Sequence, residues 1–322
     1  MTDTRIAPLP MAPDLRVRPW AGDRLAPADR KIGEAWLAGP ASTVAAGPFA
    51  GRSLDDLAHE LGTDLVGTRG LVHGRGGFPV LVKLIDAAEW LSIQVHPDDE
   101  EALAIEGEPG IGKSEAWLVL DSAPDAALLL GPRAGVAPRD LVDALGTAAL
   151  PDLLARIPVS AGDCIDVPAG TLHAIGPGVF VYEIQQPCDI TYRAWDWGRT
   201  DRTVHTQQSK AVTDGAAAGR IERAPAEERS RIVAASPFFT ARQLLLTAGG
   251  TDAATDGTSP HVITLLDGEA ELHVAGAAGG TAPGATLRLA PHDTVVLPAV
   301  LGAYRLVAAG AGTARAVVAT VP

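Results

Sequence analysis

The chain has 322 residues, room for one large domain or two or three ordinary ones, and its 47% hydrophobic content excludes a disordered polypeptide. With 39 acidic against 26 basic side chains the formal net charge is −13, which opposes nucleic acid and anionic membrane surfaces as partners and requires a local basic cluster for any anionic ligand. Only Cys164 and Cys188 occur, and the opening Met1-Thr2-Asp3-Thr4-Arg5 leads into Pro-rich polar sequence with no signal-peptide core, so a cytoplasmic protein with two buried thiols is expected, not a disulfide-stapled one.

The 35 glycines and 25 prolines, scattered between short apolar runs, read as tight turns in a mainly β protein. Residues 1–50 show little periodicity and are expected to form an irregular arm packed on the first domain. Ser53-Leu54-Asp55-Asp56 has the spacing of a helix start, and Leu54, Leu57 and Leu61 recur on one face, which predicts a helix from Ser53 to Leu61. Strands are predicted over Pro79–Ile85, Trp90–His96 and Glu115–Leu120, and in the second Ser92, Gln94 and His96 share one face. The leucines between Pro138 and Ile157 are spaced for a helical insertion, with a break at Pro151.

Short strands follow at Cys164–Val167, Val179–Ile184 and Thr191–Ala194, then a connection over 207–231 whose stretch from Gln207 to Glu228 reads as a helix or a linker. From 232 to 322 the apolar runs Ala241–Leu246, Val262–Leu266, Ala270–Val274, Thr294–Leu297, Tyr304–Val307 and Ala316–Val321 predict a compact all-β unit. Gly162-Asp163-Cys164-Ile165-Asp166-Val167-Pro168 resembles His292-Asp293-Thr294-Val295-Val296-Leu297-Pro298, so each half is expected to copy one barrel. Aligning Pro168 with Pro298 puts Ala303 where His173 stands, which predicts a second barrel without metal.

Chemistry concentrates in the first half. Gly162-x5-Pro168-x-Gly170-x2-His173 is a turn-strand-turn arrangement that resembles the second motif of the cupin superfamily, double-sheet barrels of jelly-roll type. Alone, His173 reads as a structural histidine. In company with Gln94, His96 and Glu115 it makes a mixed nitrogen and oxygen donor set for a divalent ion, which zinc, iron, manganese or nickel can use. His59, His73, His205, His261, His273 and His292 lack such company and read as structural or surface residues.

Several blocks, in order along residues 18–210, carry a family resemblance. Leu91-Ser92-Ile93-Gln94-Val95-His96-Pro97, Gly112-Lys113-Ser114-Glu115-Ala116-Trp117, Pro168-Ala169-Gly170-Thr171-Leu172-His173 and Tyr182-Glu183-Ile184-Gln185-Gln186 resemble the signature blocks of type I mannose-6-phosphate isomerases in their short bacterial form. Thr191-Tyr192-Arg193-Ala194-Trp195-Asp196-Trp197-Gly198-Arg199 resembles a further one. The resemblance implies two cupin-type barrels: a catalytic one over 51–206 with the helical insertion at about 138–157, and a metal-free one over 232–322.

It also implies a cytoplasmic zinc enzyme, with one Zn2+ per chain, that interconverts mannose 6-phosphate and fructose 6-phosphate through an enediol(ate). The metal ligands fall on Gln94, His96, Glu115 and His173, the catalytic arginine on Arg193, and the sugar phosphate pocket on Lys83, Ser92, Lys113 and Arg199. Arg193, always protonated, suits polarising a sugar oxygen and not proton abstraction, and the base stays open between Glu115, Lys113 and another group. Two other readings compete: a non-haem iron oxygenase, because two histidines and a carboxylate form that facial triad, and a non-catalytic cupin that binds sugar phosphates.

Overall fold

The computed structural model describes residues 6–226, 229–274 and 285–322. The first five residues of the expected arm, residues 227–228 of the connection and residues 275–284 of the C-terminal unit lie outside them. The described residues are mainly β, with antiparallel strands in four sheets. They divide into two compact units, one of residues 15–36 and 82–225, the other of residues 1–14, 37–81 and 226–322.

The first unit is a double sheet. Its seven-stranded sheet runs in the order Arg220–Glu222, Cys164–Val167, Glu115–Ser122, Val179–Gln185, Leu81–Asp86, Ile32–Ala38, Asp14–Val17. Its five-stranded sheet runs Tyr192–Trp195, Ile93–Val95, His173–Ile175, Ala127–Pro132, Leu154–Pro158. Trp117, Val119, Ile165 and Val181 of the larger sheet and Leu128, Leu130 and Ile175 of the smaller belong to one buried cluster, so the core lies between the sheets. Because side chains alternate along a strand, Glu115 shares the inward face of Trp117 and Val119, Glu183 that of Val181, Lys83 that of Ile85 and His173 that of Ile175. Gln94 points inward too, since its neighbours Ile93 and Val95 pack on the other side against Leu141, Leu150 and Val212 from the covering helices.

The second unit is also a double sheet. The seven-stranded order is Arg231–Ala235, Thr240–Leu246, Ala314–Thr320, His261–Asp267, Thr294–Leu297, Leu9–Ala12, Thr43–Val44, and the four-stranded order Thr251–Ala254, Ala303–Ala308, Ala270–Val274, Thr286–Leu289. Leu246, Ile263, Val295 and Ala316 pack with Leu272, Leu289 and Leu306 between them. Neither unit's ladders close into a barrel among the described residues.

Several sequence expectations change. The segment 1–50 is not an irregular arm: it holds four short strands, and Leu9–Ala12 pairs with Thr294–Leu297 while Ile32–Ala38 joins the other unit. Prolines 8, 10 and 13 and the short runs hide the period that would have revealed them. The helical insertion ends early, as helices Pro138–Asp143 and Leu150–Leu153, because Leu154–Pro158 leaves as an edge strand beside Ala127–Pro132. The helix Leu54–Leu61 is present, with Ser53 Oγ accepting from the Asp56 N–H at 3.0 Å.

Helix Asp99–Glu106 was hidden by its acidity, although Asp98 and Glu101 form a reciprocal capping box. The repeated seven-residue stretch is repeated in geometry. Asp163 accepts from the Ser160 N–H at 3.0 Å and Asp293 from the Ala290 N–H at 2.8 Å, and both turns place the preceding residue, Gly162 (φ 89°) or His292 (φ 74°), in the left-handed region.

Candidate active site

Three strands and two loops of the first unit bring the expected ligands together. Gln94 and His173 sit directly opposite one another across an antiparallel pair, which places their side chains side by side. Glu115 opens its strand in the facing sheet, opposite Gln185 on one flank and Val167 on the other. His96 leaves the end of its strand and is tied down through its carbonyl, which accepts from the Gly170 N–H at 2.9 Å. Gln186 then fixes the segment before Glu115: its Oε1 accepts from the Ser114 N–H at 2.9 Å and its Nε2 donates to Asp99 at 2.8 Å.

His96, Glu115 and His173 are all buried, and one ligand atom from each lies within 4.8 Å of the others. Each imidazole is oriented by a backbone carbonyl. His96 Nδ1 donates to Ile190 O at 2.8 Å and His173 Nδ1 to Thr171 O at 2.9 Å, so both Nε2 atoms turn lone pairs inward. Lys113 Nζ donates to His96 Nε2 at 3.1 Å, and the Gln94 amide faces His173 Nε2 at 3.2 Å.

Glu115 Oε1 stands 3.1 Å from His173 Nε2 with no hydrogen bond of its own, while Oε2 is ion-paired with Lys113 at 3.0 Å. A carboxylate oxygen against an imidazole lone pair is repulsive unless a cation lies between them, so the residues present fit a metal ion. Gln94 completes the set when its amide is turned to present the oxygen, an exchange that keeps the side chain's shape.

The charges around the cluster are strongly coupled. Burial pushes the Glu115 carboxyl up, but Lys113, 3.0 Å away, and then the two imidazoles outweigh it and hold it well below the usual carboxylate range. Burial, reinforced by Lys113, drives the His96 imidazole well below its ordinary value. Lys113 itself is raised, because Glu115, Glu183 and Asp189 together overcome its desolvation. Glu183 moves the opposite way from Glu115: burial, then Glu115, raise its carboxyl against the pull of Lys83.

Beside the cluster is a cavity of about 400 Å³, within the range of small-molecule sites. Lys83, Ser92, Gln94, Lys113 and Arg193, all singled out from the sequence, line it. Arg199 does not. Its guanidinium is spent on the Trp90 carbonyl at 3.0 Å, Asp196 at 3.1 Å and Glu89 at 2.9 Å, which draws it away from the wall. Lys83 is buried and donates to Gln185 Oε1 at 2.6 Å, with Glu183 at 3.1 Å and the Trp36 ring centroid at 4.9 Å.

The wall also contains Arg18, Glu183, Arg202 and His205, which sequence reasoning left out. Glu183 carried a signal, a lone carboxylate inside the apolar run Val179–Ile184. His205 carried none, since nothing near it in the chain resembles a partner.

A curated relative, the mannose-6-phosphate isomerase of Streptococcus mutans, is 32% identical over 286 residues, covering 83% of this chain and 87% of its own. The chain belongs to the mannose-6-phosphate isomerase family. The family described as phosphomannose isomerase type I, catalytic domain, matches residues 17–109. The probable mannose-6-phosphate isomerase GmuF of Bacillus subtilis is 37% identical over 220 residues, 64% of this chain and 68% of that one. The solved mannose 6-phosphate isomerase of Bacillus subtilis superposes with a TM-score of 0.80 at 28% identity, over 98% of this chain and 99% of that chain. A zinc-bound mannose 6-phosphate isomerase structure, 16% identical with a TM-score of 0.73 over 97% of this chain and 99% of its own, shares the isomerase fold.

Proposed function

We propose that this isomerase-family protein is a zinc-dependent enzyme that interconverts mannose 6-phosphate and fructose 6-phosphate through an enediol(ate). The observation that carries the reading is the buried His96–Glu115–His173 cluster, with Gln94, beside a cavity lined by Lys83, Lys113 and Arg193. Gln94, His96, Glu115 and His173 would hold one divalent ion per chain, and zinc accepts this mixed donor set. When bound, such an ion supplies Lewis acidity to the sugar oxygens at C1 and C2. Membership of the isomerase family sets aside the oxygenase and sensor readings of the same triad.

The chain's own groups perform the rest. Isomerisation takes the proton from C2, leaves an enediol(ate), and returns the proton to C1. Among the described residues the Arg193 guanidinium has no hydrogen-bond or ion-pair partner, so it lines the cavity with N–H donors to offer a sugar oxygen gaining negative charge. Glu183 is the group we assign to the proton: it lines the cavity, it is outside the ligand set, and burial raises its carboxyl above the ordinary range, toward that of a general base. Trp117 Nε1, donating to Glu183 Oε2 at 2.8 Å, fixes the carboxyl plane. Ser92 and Lys113 complete the wall at the sugar end, and Lys83 orients Glu183.

We read the two double-sheet units as cupin-type jelly rolls, the catalytic one carrying the metal and the C-terminal one, with Ala303 at the position of His173, carrying none. The repeated Asp163 and Asp293 turns support the pairing of the two. The free thiols of Cys164 and Cys188 support a reducing, cytoplasmic setting, and the −13 charge argues against nucleic acid and membrane partners. No helix among the described residues is long and apolar enough to cross a membrane.

A coupled assay with mannose 6-phosphate in and fructose 6-phosphate out tests the reading. Turnover that stops on chelation and returns with zinc is the expected result; no turnover by zinc-loaded, folded protein overturns it.

A further inference from the structure

The cationic residues on the cavity wall are not equivalent. Lys83 and Lys113 are buried against Glu183 and Glu115 at the metal end, which leaves little of either ammonium for a ligand. The other end is built differently. Arg193 is paired by backbone with Gln94, so it stands next to the ligand set, and burial, then the charge of Arg202, lower its pKa. Arg193, Arg202 and His205 all line the cavity.

Arg202 is held side-on by the buried Asp196: Nε donates to Oδ2 at 2.9 Å and Nη2 to Oδ1 at 2.6 Å. Nη1 has no partner among the described residues, so three of the five N–H donors remain beyond the pair. Asp196 also accepts from Arg199, so its backing of Arg202 is braced from a second side. His205 Nδ1 accepts from the Arg193 backbone N–H at 3.1 Å, which leaves the proton on Nε2 as a donor.

The spare donors of Arg202 and the His205 N–H in one wall, with the charge of Arg193 nearby, make a donor set that fits an anion. We propose that Arg202, together with His205, binds the phosphate group of the substrate, and that Asp196 is the positioning residue that aims Arg202. The sugar phosphate then lies along the cavity with its C1 and C2 carbons at Gln94 and its phosphate at Arg202 and His205. This rests on the isomerase reading for the identity of the substrate; the anion site itself does not.

The test uses purified zinc-containing protein, with inorganic phosphate as the calorimetric probe and mannose 6-phosphate in the coupled assay. Arg202→Ala is expected to weaken phosphate binding and raise KM about ten- to a hundredfold with kcat little changed. Arg202→Lys should recover part of the loss, since it restores charge without the fork. Asp196→Asn should raise KM and leave kcat and zinc content in place, a split that general loosening of the fold does not produce. Arg220→Ala, which removes an exposed arginine paired with Asp166, controls for net charge.

Phosphate affinity and KM unchanged in folded Arg202→Ala, or equal to the loss in Arg220→Ala, overturn the proposal. Wild-type protein that binds phosphate through Arg202 yet does not isomerise mannose 6-phosphate would uphold the anion site and overturn the isomerase reading alone.

Discussion

Lys83 offers the sharpest test of how the cavity is held together. Its ammonium and the Glu183 carboxylate are 3.1 Å apart with side-chain exposures of 4% and 3%, and Gln185 and the Trp36 ring complete the enclosure. Replacing Lys83 by Met keeps the bulk of the stem but leaves Glu183 buried without its cation. Breaking such a pair from one side costs about 3–5 kcal/mol, whereas replacing both partners with groups of matching shape is often close to neutral. Lys83→Met should therefore cost about 3–5 kcal/mol in urea unfolding, and the double variant Lys83→Met with Glu183→Gln should recover most of it.

For domains of this size each kcal/mol moves the midpoint by about 2–4 °C, so the single variant should melt about 6–20 °C lower, well beyond the error of a thermal scan. A role for Lys83 confined to gripping the ligand predicts the reverse, a stable variant with poor KM. A single variant within about 1 kcal/mol of wild type, or a double variant no better than the single, would refute the ion-pair argument.

Other outcomes are equally concrete. His173→Ala should drop bound zinc while circular dichroism stays native, because the sandwich core of Trp117, Val119 and Val181 is intact; metal analysis reads it. Wild-type protein should bind one zinc per chain, and a second tight zinc near His261, His273 or His292 would contradict the metal-free reading of the C-terminal unit. Arg199→Ala should cost about 1–3 kcal/mol of stability, since it unpairs the Trp90 carbonyl and one partner of Asp196, and urea unfolding measures it.

Burial, and then Arg193, lower the His205 imidazole below its unfolded value near 6.5, so the unfolded chain binds more protons and stability contributed by neutral His205 falls as pH drops through that value. NMR titration of the assigned His205 ring should give a midpoint below about 6.5, and one at or above it contradicts the described surroundings.

How much of this was legible in the sequence follows from where the signals sit. Gln94 and His96 lie in a short strand whose alternation puts them on one face, and His173 lies in a Gly and Pro turn motif, but it is the family resemblance that joined them with Glu115 into one ligand set. The wall beyond them is assembled from distant loops. Arg202 and Arg199 are three residues apart in one polar stretch, and only the three-dimensional positions of Trp90 and Glu89 decide which of them turns away. Leu154–Pro158 followed the leucine spacing of a helix until pairing with Ala127–Pro132 claimed it, a tertiary preference that a local window does not contain. Leu9–Ala12 is likewise defined by its partner, Thr294–Leu297, almost the whole chain away.

The inward faces of the catalytic double sheet carry Lys83, Gln94, Glu115, His173 and Glu183 at positions where a sandwich normally places Val, Ile or Leu. Each is a concession of cohesion to chemistry. A selection for heat resistance alone should therefore erode the enzyme from the inside: apolar replacements at these five sites, above all paired ones at Lys83 and Glu183, are the substitutions that tighten the sandwich most and silence it first. Libraries intended to toughen the protein should hold these five codons fixed and draw their gains from the C-terminal unit, whose core among the described residues is built from apolar side chains such as Leu246, Ile263, Val295 and Leu306.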